Sequence, residues 1–296
     1  MAAAPTYLFC VGATKAGTSW LYDHLAGHPE CHFRSIKELH YFSMSTPAHF
    51  DNALRAGRDE ISELKDQADL AGDAKSWHDR RLTDLRDWQR VLRAKAVDLP
   101  AYRAFLNEGR GDARLVGDIT PAYALMSGEK LKSLAAVGAD VRVIYLIRDP
   151  LARLWSHVRM IAARVAPQRF VDEAQALMAR ILAGDLSGEG KGIVARGDYA
   201  AILPKLARSF DPARLLVLFY EDMLTLPGIA KLSAFLGIAP GTADLGRRVH
   251  EGQSLALAPT MGNRARTYLK PQYDYVASQF ADLPQAWRRN MNEGVA

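Results

Sequence analysis

The sequence predicts an α/β protein: a P-loop-like, three-layer α/β/α arrangement around a central parallel sheet. Three observations carry this. Short continuous apolar runs at Tyr7 to Val11, Val141 to Ile147 and Arg214 to Tyr220 read as strands buried on both faces. Each run passes into a helical pattern, the alternation that builds a parallel sheet covered by helices. The first run ends in Gly12-x-x-x-x-Gly17-Thr18-Ser19, a glycine-bounded turn of the kind that cradles phosphate with backbone N–H groups at a helix N-terminus.

The elements follow in order. From Thr18, Leu21 and Leu25 mark one helical face, and Gly27 followed by Pro29 ends it. Leu115-Val116-Gly117, leading into Asp118, is a short strand. Val141 to Ile147 (VRVIYLI) is the strongest strand, continuous and β-branched. Asp149 then suits an N-cap and Pro150 a first helical position. Leu151, Leu154, Val158 and Ile161 form the stripe of the helix that follows. A helix through Leu232 and Leu236 follows the last strand. Segments 50–110 and 165–205 carry amphipathic helical patterns, with Leu82, Leu85, Val91 and Leu92 as an example. Gly184 to Gly192 is glycine-dense and predicts a mobile surface loop. No linker interrupts the pattern, so residues 1–296 read as one domain, with about 41–110 and 165–205 as helical insertions shaping an acceptor side.

Composition sets limits. With 49% hydrophobic and 24% charged residues, the chain can bury a sizeable core. A net charge of +5 suits an anionic small molecule. Its basic residues are scattered among acidic ones, so nucleic acid is not an expected partner. Cys10 and Cys31 lack disulfide or metal spacing, and no HExxH motif is present, so no metal is expected. The apolar N-terminus lacks a basic leader, and no stretch reaches membrane-spanning length. A cytoplasmic setting follows as the expectation.

The glycine loop departs from a Walker A loop in one respect. Thr18 stands where the lysine after the second glycine belongs, and Lys15 lies inside the loop. Such a loop can hold a 5′-phosphate without being built for a magnesium-bound triphosphate. That permutation, Thr14-Lys15-Ala16-Gly17-Thr18-Ser19-Trp20, resembles the P-K-S-G-T-T-W loop of the sulfotransferases that use 3′-phosphoadenosine-5′-phosphosulfate (PAPS). Arg148-Asp149-Pro150 with Ser156, eight residues after Arg148, resembles the family's 3′-phosphate motif. Lys37-Glu38-Leu39-His40-Tyr41-Phe42 and Gly117-Asp118-Ile119-Thr120-Pro121-Ala122-Tyr123 are similar to segments of the heparan-type enzymes. Phe219-Tyr220-Glu221-Asp222 is similar to a strand end of the cytosolic ones.

The resemblance implies sulfuryl transfer from PAPS to a hydroxyl or, second, an amine, with PAP as product and a small-molecule, glycan or lipid acceptor. It implies Lys15 as the cation on the leaving phosphate, and backbone amides and hydroxyls of Thr14 to Ser19 on the 5′-phosphate. Arg148 and Ser156 fall on the 3′-phosphate. Trp20 and Tyr220 become adenine candidates, with core packing as the competing role for both. Glu38 is the first candidate base, with pairing to Lys37 as its alternative. His40 is the second, with orientation of Glu38 as its alternative. A late basic loop on the 3′-phosphate finds its nearest match in Gly262 to Arg266, with Arg264 the favoured contact. Ile119 stands where the heparan-type motif has lysine, so an acceptor-side cation is missing. Two other readings are a P-loop kinase or NTPase, which the displaced lysine disfavours, and a non-catalytic nucleotide-binding or nucleic-acid-binding scaffold.

Overall fold

Five apolar segments pair in parallel and set the frame. In the computed structural model, which describes residues 4–66, 72–241, 245–246 and 252–292, they are β1 (Thr6–Gly12), β2 (Cys31–His32), β3 (Leu115–Ile119), β4 (Val141–Ile147) and β5 (Leu215–Phe219). Their order across the sheet is β2-β3-β1-β4-β5. β4 matches the expected run. β5 is one residue shorter at each end, because Arg214 closes a 3-10 turn and Tyr220 opens a helix. β3 extends through Asp118 to Ile119. β2 was not expected, since two residues carry no periodicity.

Helices cover the sheet: α1 (Thr18–Ala26), α2 (Pro47–Lys65), α3 (Gly72–Leu92), α4 (Leu99–Asn107), α5 (Gly128–Ser133), α6 (Pro150–Val165), α7 (Phe170–Leu182), α8 (Gly190–Ala195), α9 (Tyr199–Ser209), α10 (Tyr220–Met223), α11 (Leu226–Leu236), α12 (Pro259–Gln279) and α13 (Gln285–Asn292). Gly27 closes α1, and Asp149 caps α6 by accepting the Ala152 N–H at 2.8 Å. Two expectations change. The glycine-dense stretch 184–192 is not all loop, because α8 starts at Gly190. Gly262 to Arg266 lies inside α12 rather than in a loop, because Pro259 starts that helix upstream. Among the described residues no helix is long and apolar enough to cross a membrane.

The chain leaves β1 toward β2 on one side and leaves β4 toward β5 on the other. Right-handed crossovers therefore place the connecting helices on opposite faces, giving three layers. The crevice between the C-terminal ends of β1 and β4 is the topological switch point, where such sheets bind ligands. A contiguous apolar core runs from Tyr7 to Trp287, and a small satellite cluster of Leu64, Leu82 and Leu85 joins α2 to α3.

Helix α3 is fastened to the β2 edge by polar groups. Arg34 is 4% exposed. Its Nε makes an ion contact with Asp84 at 2.8 Å and its Nη2 meets Asp87 at 2.5 Å. Its Nη1 donates to the Phe105 carbonyl at 3.0 Å. Beyond β2, Arg80 donates to the Phe33 carbonyl and Arg81 to the Ser35 carbonyl, while the Ser35 N–H donates to Asp84 at 2.5 Å. Removing one partner of a buried pair strands the other charges, at a cost of about 3–5 kcal/mol. Arg34→Ala is therefore expected to destabilise the fold by about that amount, read as a lower urea midpoint at unchanged slope.

Candidate active site

The loop after β1 and the turn after β4 meet at the switch point. Lys15 takes a left-handed backbone (φ 69°), which turns its carbonyl to accept from Arg148 Nη1 at 3.1 Å. Gly17, also at positive φ (88°), precedes α1, and glycine is required there on steric grounds. A Cβ at Gly17 would stand 2.5 Å from Tyr220 Cδ2, so the Tyr220 ring lies directly on its backbone. The Arg148 guanidinium sits 4.8 Å from the centroid of that same ring. Lys15, Gly17, Arg148 and Tyr220, named from separate motifs, thus form one contiguous surface.

The remaining donor-side candidates fall around it. Thr14 is half-buried and Ala16 buried in the loop, while Thr18 and Ser19 open α1. Trp20 is buried in the apolar core, its ring stacked on His24 of the same helix at 5.0 Å, so it fills the packing role. Ser156 is buried on α6. Arg264 is exposed on α12. Sequence reasoning missed Arg159, one helical turn beyond Ser156. Its Nη1 donates to the Gln253 carbonyl at 3.1 Å, and its charge reaches Lys15. The i, i+3 spacing from Ser156 was the available signal.

Charge is concentrated here. Burial lowers the Lys15 pKa, and Arg148, Arg159 and Lys37 lower it further, with Glu38 opposing. His157, next to Ser156, is pushed down to about 2 by burial and by Arg153, Arg196 and Lys15, so it stays neutral. The field therefore favours an anion. Cys10, pushed up to about 12 by burial, supplies no thiolate.

The Arg148 turn is clamped from the C-terminal side. Tyr199 Oη donates to the Arg148 carbonyl at 2.7 Å and accepts its N–H at 3.1 Å. The Asp149 N–H donates to Glu221 Oε1 at 2.9 Å, and Trp287 Nε1 of α13 donates to Glu221 Oε2 at 3.2 Å. Tyr273 of α12 donates to Asp149 Oδ2 at 2.8 Å. Burial raises the pKa of both Asp149 and Glu221, and these donors draw each part of the way back.

The second group lies beyond β1, on the β3 side. Glu38 (φ 64°) and His40 (φ 56°) both have left-handed backbone. Lys37 Nζ donates to Glu38 Oε1 at 2.6 Å, and His40 Nε2 lies 3.6 Å from Glu38 Oε2. Glu38 thus contacts both Lys37 and His40, and its charge reaches Lys15. Burial would raise the Glu38 pKa, but His40 and Lys37 together hold the carboxyl at about 2. Ile119 is buried at the end of β3 beside Cys10, and the Lys37 charge reaches both Cys10 and Lys15. A separate cavity of about 880 Å³ lies at the β2 edge, lined by Arg34, Arg80, Asp87 and Phe105 but by none of the residues above.

With this geometry in place, comparison with known proteins is direct. A model of the sulfotransferase family matches residues 5–239, and the chain belongs to that family. It is similar in fold to the sulfotransferase of Alicyclobacillus acidocaldarius, with a TM-score of 0.63, 19% identity, and 97% of this chain and 99% of that one covered. It is also similar to the sulfotransferase domain of the curacin biosynthetic pathway (TM-score 0.51, 19% identity, 85% and 79% covered). The sulfotransferase domain of the Synechococcus PCC 7002 olefin synthase compares likewise (TM-score 0.51, 18% identity, 96% and 97% covered). At such identities these likenesses speak to fold. No curated protein matches the sequence. Among the described residues no cluster of His, Cys, Asp and Glu could hold a metal ion.

The Glu38 carboxyl gives a prediction whose sign can be worked out. Its pKa falls from 4.5 to about 2 on folding, so its stabilising contribution is full above 4.5 and is lost as pH drops toward 2. Lys37→Gln removes one of the groups holding it down. The Glu38 pKa is expected to rise by about one unit or more, read by carboxyl-carbon NMR titration. The acid-side loss of stability should shrink with it.

Proposed function

We propose that this sulfotransferase moves a sulfuryl group from PAPS to a hydroxyl acceptor, with an amine as the second choice, and releases PAP. The observation that carries this reading is the meeting of Lys15 with Arg148 and Tyr220 at the switch point, bound by the 3.1 Å Arg148–Lys15 contact. The loop around Lys15 suits the 5′-phosphosulfate. Arg148 and Ser156 suit the 3′-phosphate that distinguishes PAPS from other adenine nucleotides, with Arg159 as an added charge and Arg264 as an outer one. Tyr220, spread between Gly17 and Arg148, is the better placed adenine partner, whereas Trp20 is buried and stacked on His24.

Transfer of this kind is a loose in-line displacement, governed by positioning and charge. The acceptor oxygen bonds to sulfur as the bond from sulfur to the 5′-phosphate oxygen breaks. The hydroxyl proton passes to Glu38 or His40, and Lys15 offsets charge on the departing phosphate. A carboxylate held at about 2 is a poor base near neutrality. Glu38 would gain basicity if the Lys37 ammonium, which donates to it at 2.6 Å, paired with the sulfuryl oxygens instead. We read the whole chain as one catalytic domain, because one core joins Tyr7 to Trp287. Two unpaired, buried cysteines suit a cytoplasmic setting.

PAP is expected to raise the melting temperature, whereas ATP with magnesium is not; the reverse pattern would overturn the donor assignment. Arg148→Ala and Lys15→Ala should each weaken PAP binding by roughly 10- to 100-fold, the worth of a charge-assisted phosphate contact. Calorimetry reads that loss. Transfer of radiolabelled sulfate from PAPS into a metabolite extract identifies the acceptor class.

A further inference from the structure

The segment carrying Glu38 and His40 poses a physical problem. Two non-glycine residues in left-handed backbone each cost of order 1–3 kcal/mol and persist only where the surroundings hold them. The hold comes from β3 and the turn that follows it. Asp118 is 2% exposed on β3. It accepts three hydroxyl protons: from Thr120 at 2.6 Å, and from Tyr102 and Tyr123 at 2.8 Å each. Burial raises the Asp118 pKa, and these three bonds favour its charged form against that.

Accepting from all three hydroxyls, the Asp118 side chain fixes the direction of the bonds around it. Thr120 and Tyr123 must point their protons at Asp118, which leaves their oxygen lone pairs facing outward. Those oxygens accept the backbone N–H groups of the segment itself. Thr120 Oγ1 receives His40 N–H at 3.4 Å, and Tyr123 Oη receives Phe42 N–H at 3.5 Å. The same rings pack on it. Tyr102 stacks on Tyr41 at 5.0 Å, nearly parallel, and Tyr123 meets Phe42 edge-on at 5.8 Å.

We infer that Asp118 is a positioning residue for the proton-accepting pair: through the hydroxyls of Thr120 and Tyr123 it holds the backbone of the segment that carries Glu38 and His40. It touches neither donor nor acceptor. The role rests on the sulfuryl-transfer reading for its consequence, but the hold itself does not.

The test uses the full chain and Thr120→Val, which removes the relay hydroxyl at nearly constant shape, with Thr120→Ser as the conservative return. Asp118→Asn is the companion, since its NH₂ would reverse one bond. Hydrogen exchange read by mass spectrometry should rise about tenfold over residues 36–44 in Thr120→Val, reporting local opening, while residues 12–26 stay protected. PAP affinity should stay within about twofold. Transfer of labelled sulfate from PAPS to p-nitrophenol or to the acceptor extract should fall roughly 10- to 100-fold in kcat, the penalty for misplacement. Thr120→Ser should recover both exchange and rate. Wild-type exchange over 36–44 in Thr120→Val and in folded Asp118→Asn would overturn the inference, as would an undiminished kcat. If the wild-type chain binds no PAP, the donor reading fails, and exchange over 36–44 still decides the hold.

Discussion

The mutual repulsion of cations at one end of the sheet is the constraint around which this structure is organised. Lys15, Arg148, Arg159 and Lys37 are close enough for the last three to weaken the Lys15 ammonium, and burial strips away the solvent that would screen them. Left alone, such groups would splay. They are restrained by main-chain contacts: the Lys15 carbonyl takes a guanidinium N–H of Arg148, and Tyr199 grips Arg148 through both of its peptide groups. One cation is thereby tied to the backbone of the next, which holds both at the same end of the sheet.

Negative charge enters from behind and out of reach of the cleft. Asp149 and Glu221 brace the Arg148 turn, and Asp118 braces the Glu38–His40 segment. Asp118 and Asp149 are buried and Glu221 is half-buried, and their hydrogen-bond donors are hydroxyl, indole, amide and peptide groups rather than arginine or lysine. A carboxylate bonded that way orients its neighbours through those donors. Glu38 is the exception, because it pairs with a cation inside the site. Under the proposed function, that pairing sits where the acceptor's proton would be taken up.

Legibility followed the length over which a signal is written. The β4 run and the Asp149-Pro150 helix start are contiguous, and both were read from local pattern. The two donor motifs were legible because each is a strand end with a fixed spacing to its helix. β2 was not, being two residues whose pairing depends on Leu115 and Val116 more than 80 positions away. The Trp287–Glu221 and Tyr273–Asp149 bonds join positions 66 and 124 residues apart and leave no local trace. Nor does any rule place glutamate and histidine in left-handed backbone, which their neighbours impose. Arg264, expected in a basic loop, lies inside α12 because Pro259 starts that helix upstream.

The side chains that line the free margin of β2 have a consequence for how this protein keeps company with itself. A parallel sheet ending in a short strand offers bare peptide groups to any passing chain. Here, just past the end of β2, Arg80 and Arg81 take the Phe33 and Ser35 carbonyls and Asp84 takes the Ser35 N–H. The helix thus supplies, in charged side chains, the donors and acceptor that a neighbouring strand would bring to the chain as it leaves the sheet. Another strand seeking to pair with that segment would first have to displace these charge-assisted bonds.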